Sequence, residues 1–192
     1  MEVTAFFEHT FNSEDQHQLR AGIDYERDQE MEDDFFTNHY KVPDLPDETD
    51  HSVADNREQN INITADYSRP LWKEAALEAG YEGNIQLTDQ DQSVSNFDPQ
   101  SNIWINSEED ANAFHANQAV HALYATVSSS WGKFSAMGGI RAEEALVKLN
   151  FITLDTSSKS DYFALYPTIH LGYATGKSEW QLNYSRRVNR PD

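Results

Sequence analysis

The chain contains no cysteine, which removes disulfides, thiolate zinc sites, iron–sulfur clusters and cysteine nucleophiles together. It is also short of positive charge. Fourteen Lys and Arg stand against 33 Asp and Glu, a formal net charge of -19, so a cationic surface that captures nucleic acid is excluded. No window approaches the roughly 18 consecutive apolar residues of a membrane helix, so helical spans are excluded by length. Membrane strands survive this test, because they need only about ten residues with every second one apolar. That pattern keeps mean hydropathy low, and here it is -0.75. Met1 to Ala5 lacks a basic segment followed by a long apolar one, so no secretory signal is expected in this chain. The compartment stays open: either the protein remains inside the cell or the chain is a piece of something longer.

What is present argues for a fold. The 192 residues suffice for one sizeable domain or two small ones. Four Trp, 9 Tyr and 10 Phe are too many aromatics for an ordinary disordered acidic tail. The recurring signal is period two, the mark of a strand between an apolar and an aqueous phase. Leu19, Ala21, Ile23 and Tyr25 alternate with Arg20, Gly22, Asp24 and Glu26. Ile61, Ile63, Ala65 and Tyr67 do the same, as do Leu77, Ala79 and Tyr81. Phe163, Leu165, Ile169, Leu171 and Tyr173 form a fourth set, and Trp180, Leu182, Tyr184 and Val188 a fifth. Glu2 to Phe11 and Phe134 to Ala142 fit less sharply, the first because Phe6 falls on the wrong face, the second because of its glycines. In Phe114 to Val127 both faces are small or apolar, which leaves the register open. The sum is about eight strands.

Their connections alternate in length. Short turns are expected at Asn12 to Gln16, Arg69 to Glu74, Ser129 to Lys133 and Thr175 to Glu179, and long polar loops at Val42 to Glu58, Asp89 to Asn112 and Leu154 to Ser160. This is the layout of a meandering membrane barrel, tight on the periplasmic side and elaborate outside; a Greek-key sandwich need not keep such parity. Trp72, Trp131 and Trp180 lie in or beside the short turns, where an interfacial aromatic girdle belongs. Arg141 to Leu149 and Trp72 to Gly80 are good helix formers with favourable charge spacing, but both fall inside the hairpin rhythm and are read as strands or turns.

Chemistry is hard to find. The histidines His9, His17, His39, His51, His115, His121 and His170 show no metal-binding spacing. Asp89 to Ser93 begins like a calcium loop without its glycine and terminal glutamate. Asp44, Asp47, Glu48, Asp50, Asp55 and Glu58 could collect divalent cations on an outer loop or simply be solvated. Glu143 with Glu144, and Asp33 with Asp34, point to opposite faces of a strand and so form no acid/base dyad. Ser128-Ser129-Ser130 is a turn, and no phosphate-cradling loop or nucleophile motif occurs. No catalytic, cofactor-binding or metal residues are assigned, and no cofactor. Arg186 and Arg190 fall on the face of Leu182 and Tyr184; Arg186 should lie beyond the apolar band or snorkel to a headgroup. Arg187, on the other face, would pair with lumen carboxylates.

Tyr184 to Pro191 resembles the Y-S-R-R-x-N-R-P signature of the TonB-dependent receptor barrels common in Bacteroidetes, the outer membrane protein beta-barrel family. Asp161 to Leu171 is similar to that family's aromatic-Pro-Ser/Thr strand, and Tyr124 to Glu143 to its hairpin ending in G-x-R-x-E. The resemblance is specific from about Ala119 to Pro191. It implies an all-β antiparallel meander of about eight strands, part of a larger transmembrane β-barrel in the outer membrane of a Gram-negative cell. It further implies that residues 1–192 are a partial barrel domain without the plug or the remaining strands. The partners implied are outer-membrane lipid, a plug domain, the TonB complex and an imported nutrient, with ligand contacts on lumen faces and outer loops at residues that cannot be named. Two alternatives remain: a complete eight-stranded barrel, disfavoured by the missing signal and the ending Arg190-Pro191-Asp192, and a soluble antiparallel sandwich binding carbohydrate through exposed aromatics.

Overall fold

Each of the period-two segments hydrogen-bonds to the next in chain order, so the backbone runs as seven successive antiparallel hairpins. The computed structural model describes residues 1–12, 17–42, 47–72 and 74–186. The strands are β1 (Glu2–Asn12), β2 (His17–Asn38), β3 (Glu48–Trp72), β4 (Ala75–Asp98), β5 (Ile103–Trp131), β6 (Phe134–Phe151), β7 (Thr156–Thr175) and β8 (Ser178–Ser185). They form one sheet in the order β1 to β8, with β1 and β8 as its edges.

The sheet is a single layer. Among the described residues the buried ones are Ala54, Ala75, Gly83, Ala122 and Ala145, with Glu143 as the one buried polar residue. No second layer covers the apolar side chains, which excludes the sandwich. The accessible surface is 14091 Å², against about 9,300 Å² for a compact monomer of this mass. The excess belongs to an uncovered single layer with many exposed large hydrophobic side chains and two open edges.

Two of the tight ends are two-residue loops, Gly132-Lys133 and Gly176-Lys177. Each opens on a glycine with positive φ, +61° and +56°, the backbone that a first loop residue needs to match the twist of the flanking strands. Arg69 to Trp72, expected as turn, stays in β3 and pairs with β4.

The far ends depart most from expectation. Most of Val42 to Glu58 and of Asp89 to Asn112 is strand rather than loop: β2 and β3 remain paired up to Asn38 and Glu48, and β4 and β5 up to Asp98 and Ile103. Of the third, Thr156 to Ser160 pairs with β6. Here water lies on both faces, so period-two contrast vanishes while the backbone ladder continues. Polar cross-strand pairs hold it: Gln29 to Asp55 at 2.9 Å, Asn38 to Asp50 at 3.3 Å, Gln92 to Ser52 at 3.2 Å and Ser95 to Asn106 at 2.8 Å. Ladder pairing also overrides helix propensity, since Arg141 to Leu149 lies within β6 and Ala75 to Gly80 within β4.

Candidate functional site

Because the period is two, register alone sorts every side chain to one of two faces. The segment whose register was open is decided by its neighbours. Leu77, Ala79, Tyr81 and Ile85 of β4 sit opposite Val127, Ala125, Leu123 and Ala119 of β5, and those four oppose Gly138, Ile140, Ala142 and Leu146 of β6. The burial contrast between neighbours agrees: Leu123 is 64% exposed and Ala122 only 1%.

The apolar face is continuous across all eight strands. One row reads Ala5, Ile23, Ile63, Gly83; another reads Ala125, Ile140, Pro167; Ile169 meets Tyr184 and Leu171 meets Leu182. At the tight-turn end the face closes on aromatics. Trp131, Phe134, Tyr173 and Trp180 lie on one row, with Phe134 and Tyr173 centroids 4.6 Å apart, and Phe11, His17 and Tyr67 continue the belt at 4.5 and 5.5 Å. Trp72 ends β3 at the same level. From Phe134 to Glu144 the strand rises about 34 Å along its length, or about 26 Å at a tilt of roughly 40°. That matches the apolar height of an outer-membrane barrel.

The opposite face is polar and hydrogen-bonded. Arg141 donates to Glu82 at 2.6 Å and to Glu143 at 3.2 Å, tying β6 to β4 across β5. Tyr124 donates to Asp66 across β4, Arg20 pairs with Glu8 at 3.2 Å, and His170 meets Asn183 at 2.7 Å. Along β2, Asp24, Glu26, Asp28, Glu30, Glu32 and Asp34 occupy six consecutive positions of this face. Their register partners are Asn62, Asn60, Glu58, Asn56, Ala54 and Ser52, with no cation among them. A wall of one sign favours approach of cations and disfavours anions.

The candidate residues read from sequence are dispersed. Asp89 to Ser93 is extended strand, with Asp89 paired to His115 at 2.5 Å, so the calcium-loop geometry is gone. Glu48, Asp50 and Glu58 face one side and Asp55 the other; Asp44 lies outside the described residues. The Arg57 guanidinium and the Gln29 amide hold the Asp55 carboxyl below its usual range. Asp98 is likewise lowered, by the Ser101 hydroxyl and the Gln100 N–H that cap the β4–β5 tip. The histidines scatter: His51 to Asp33 at 2.7 Å, His39 to Asp47 at 2.8 Å and His121 to Tyr81 at 2.7 Å. Among the described residues no group of three or more His, Asp or Glu is placed to hold a metal. Ser128 to Ser130 continues β5 rather than turning. The backbone N–H of Arg186 donates to Pro167 O at 3.3 Å, a row inside the apolar band rather than beyond it, which leaves snorkelling as its route to a headgroup. Arg187 and Arg190 lie outside the described residues. The lumen network of Glu82, Arg141, Tyr124 and Asp66 was not singled out from sequence; its one signal was an arginine on the polar face of β6.

Residues 9–192 match the profile of the outer membrane protein beta-barrel family. The chain belongs to the outer membrane protein beta-barrel family. Its place is therefore the Gram-negative outer membrane, with the apolar face against lipid and the tight turns on the periplasmic side. No curated protein matches it by sequence. Among solved structures this family member is similar to the unliganded ferric citrate transporter FecA, at 15% identity and a TM-score of 0.58, covering 95% of this chain and 26% of that one. It is also similar to the copper transporter OprC, at 14% identity and a TM-score of 0.61, covering 92% and 28%. The chain thus spans about a quarter of each, and the likeness is one of fold.

Proposed function

We propose that this chain is a wall segment of a TonB-dependent outer-membrane transporter, eight adjacent strands of a larger barrel that encloses a plug and imports a nutrient. The observation that carries this reading is the open single sheet with lipid on one face and a hydrogen-bonded polar lumen on the other, superposing along nearly its whole length on a quarter of two transporters. The edges β1 and β8 then pair with further strands, which removes the exposed ladders that an isolated sheet would present. The lumen face contacts plug and cargo, the TonB complex acts on the plug, and the wall itself has no catalytic residues.

The test is the size of the native product. An antibody against a β2 segment, applied to outer membranes of the source bacterium, should detect a protein of roughly 80–85 kDa, the 22.0 kDa chain scaled by its 26–28% share. That protein should support uptake only in energised cells. A band at the mass of the chain itself, or uptake unaffected by loss of the proton gradient, would contradict the proposal.

A further inference from the structure

The lipid-facing side changes character within one row. Its last mainly apolar row is Tyr25, Ile61, Ile85, Ala119, Leu146 and Asp161. The next row outward is Arg27, Gln59, Leu87, Asn117, Lys148 and Lys159. It holds three cations and no carboxylate. The adjacent row on the lumen side reads Asp28, Glu58, Thr88, Ala116, Leu149 and Ser158, with two carboxylates and no cation. Charge is thus sorted by face at one height, in a chain with only 14 basic residues.

We infer that this row binds the phosphate groups of outer-leaflet lipid headgroups, with Lys148 and Lys159 as its strongest point. The two lysines are direct register partners on β6 and β7, an arrangement that repels unless an anion lies between them. Although acidic residues outnumber basic ones more than twofold, none of Arg27, Lys148 and Lys159 forms an ion pair among the described residues. Asp161, one row below on the same face, makes none with either lysine. The row is continuous with the lipid-facing surface, and its height suits headgroups. From Phe134 to Lys148 the strand climbs about 36 Å at a tilt of roughly 40°, about 10 Å past the level of Glu144 and about 5 Å past the last mainly apolar row. A lysine stem spans much of that gap by leaning toward the membrane.

The inference rests on the lipid-facing assignment and not on transport. The test uses the full-length barrel in phosphatidylcholine vesicles carrying bis-phosphorylated lipid A, or dephosphorylated lipid A, with native mass spectrometry counting retained lipid. Each cation near an anionic surface is worth about a fivefold change in binding. Lys148→Gln with Lys159→Gln should therefore cut retention of the phosphorylated lipid roughly 30-fold, and Asp161→Asn should raise it. Lys133→Gln with Lys177→Gln, at the tight-turn end, should leave it unchanged, as should an excess of inorganic phosphate. Heat-modifiable gel mobility reports folding, and if the double lysine variant does not fold, the opposite-signed Asp161→Asn effect decides. Equal retention of the dephosphorylated lipid, an unaffected double variant, or an Asp161→Asn variant that binds no better would overturn the inference.

Discussion

Consider arginine placed at two consecutive positions of β7. Ile169 lies on the lipid-facing side, opposite Gly138 and Tyr184; Thr168 lies on the lumen side, opposite Gly139 and Ser185. Ile169 is four residues above Tyr173 of the aromatic row, about 10 Å of rise at a tilt of roughly 40°, close to the middle of the apolar band. A guanidinium there costs about 2–4 kcal/mol, and removing the apolar side chain adds about 1.5 kcal/mol. The expected loss for Ile169→Arg is then about 3.5–5.5 kcal/mol. Thr168→Arg lies on the polar face beside the small neighbours Gly139 and Ser185 and should cost about 0–1 kcal/mol. The assay is reversible urea unfolding of the full-length barrel in lipid vesicles, followed by tryptophan fluorescence, with heat-modifiable mobility as a check. Similar losses at the two positions, or a larger loss for Thr168→Arg, would refute the assignment of faces.

Three further outcomes are expected. A Cβ on Gly80 would meet the Tyr124 ring at 2.5 Å and Ala65 O at 2.6 Å, whereas one on Gly138 meets nothing within 4 Å; Gly80→Ala should thus destabilise the barrel by about 1–3 kcal/mol more than Gly138→Ala in the same unfolding assay, and equal effects would contradict it. The Asp98 carboxyl is held low by the Ser101 hydroxyl and the Gln100 N–H, so its contribution to the β4–β5 tip is present above the ordinary aspartate value near ~3.9 and is lost as pH falls through its depressed one; a carbon-13 titration of Asp98 should show a midpoint below that of a model peptide, and a midpoint at or above it would count against the cap. The isolated chain should sediment as aggregate unless detergent is present, since its apolar face has no protein partner, and a monodisperse aqueous monomer would argue against this.

The legible part of the fold was the part that touches two phases. Between Leu19 and Tyr25, or Phe163 and Tyr173, lipid on one side and water on the other write an alternation that survives in the sequence. Beyond the row of Arg27 and Leu87 both faces meet water, and nothing in Asp28 to Asn38 or Asp89 to Asp98 distinguishes strand from loop, although the ladder runs through both. The register of β5 was hidden for a different reason. Ala116, Ala119, Ala122 and Ala125 suit either face, and only the large neighbours Tyr81 and Ile140 assign them. The lumen network was only partly legible: Arg141 and Glu143 lie two apart on one face of β6, but Glu82 comes from β4, beyond β5, and sequence spacing carries no information about that meeting. The acidic stretches left a cation-collecting loop and a merely solvated one both open, and strand geometry divides the described carboxylates of β3 between two faces.

The account depends on which solvent each face of the sheet meets, and spin-label accessibility measures that directly. Nitroxides placed one at a time from Phe163 to Tyr173 in the full-length barrel, embedded in vesicles, should collide with oxygen at odd positions and with a water-soluble nickel chelate at even ones, in strict alternation. Accessibility to the chelate at every position, or to neither reagent at the odd ones, would mean that this face meets water or protein, and the membrane assignment would fall with it.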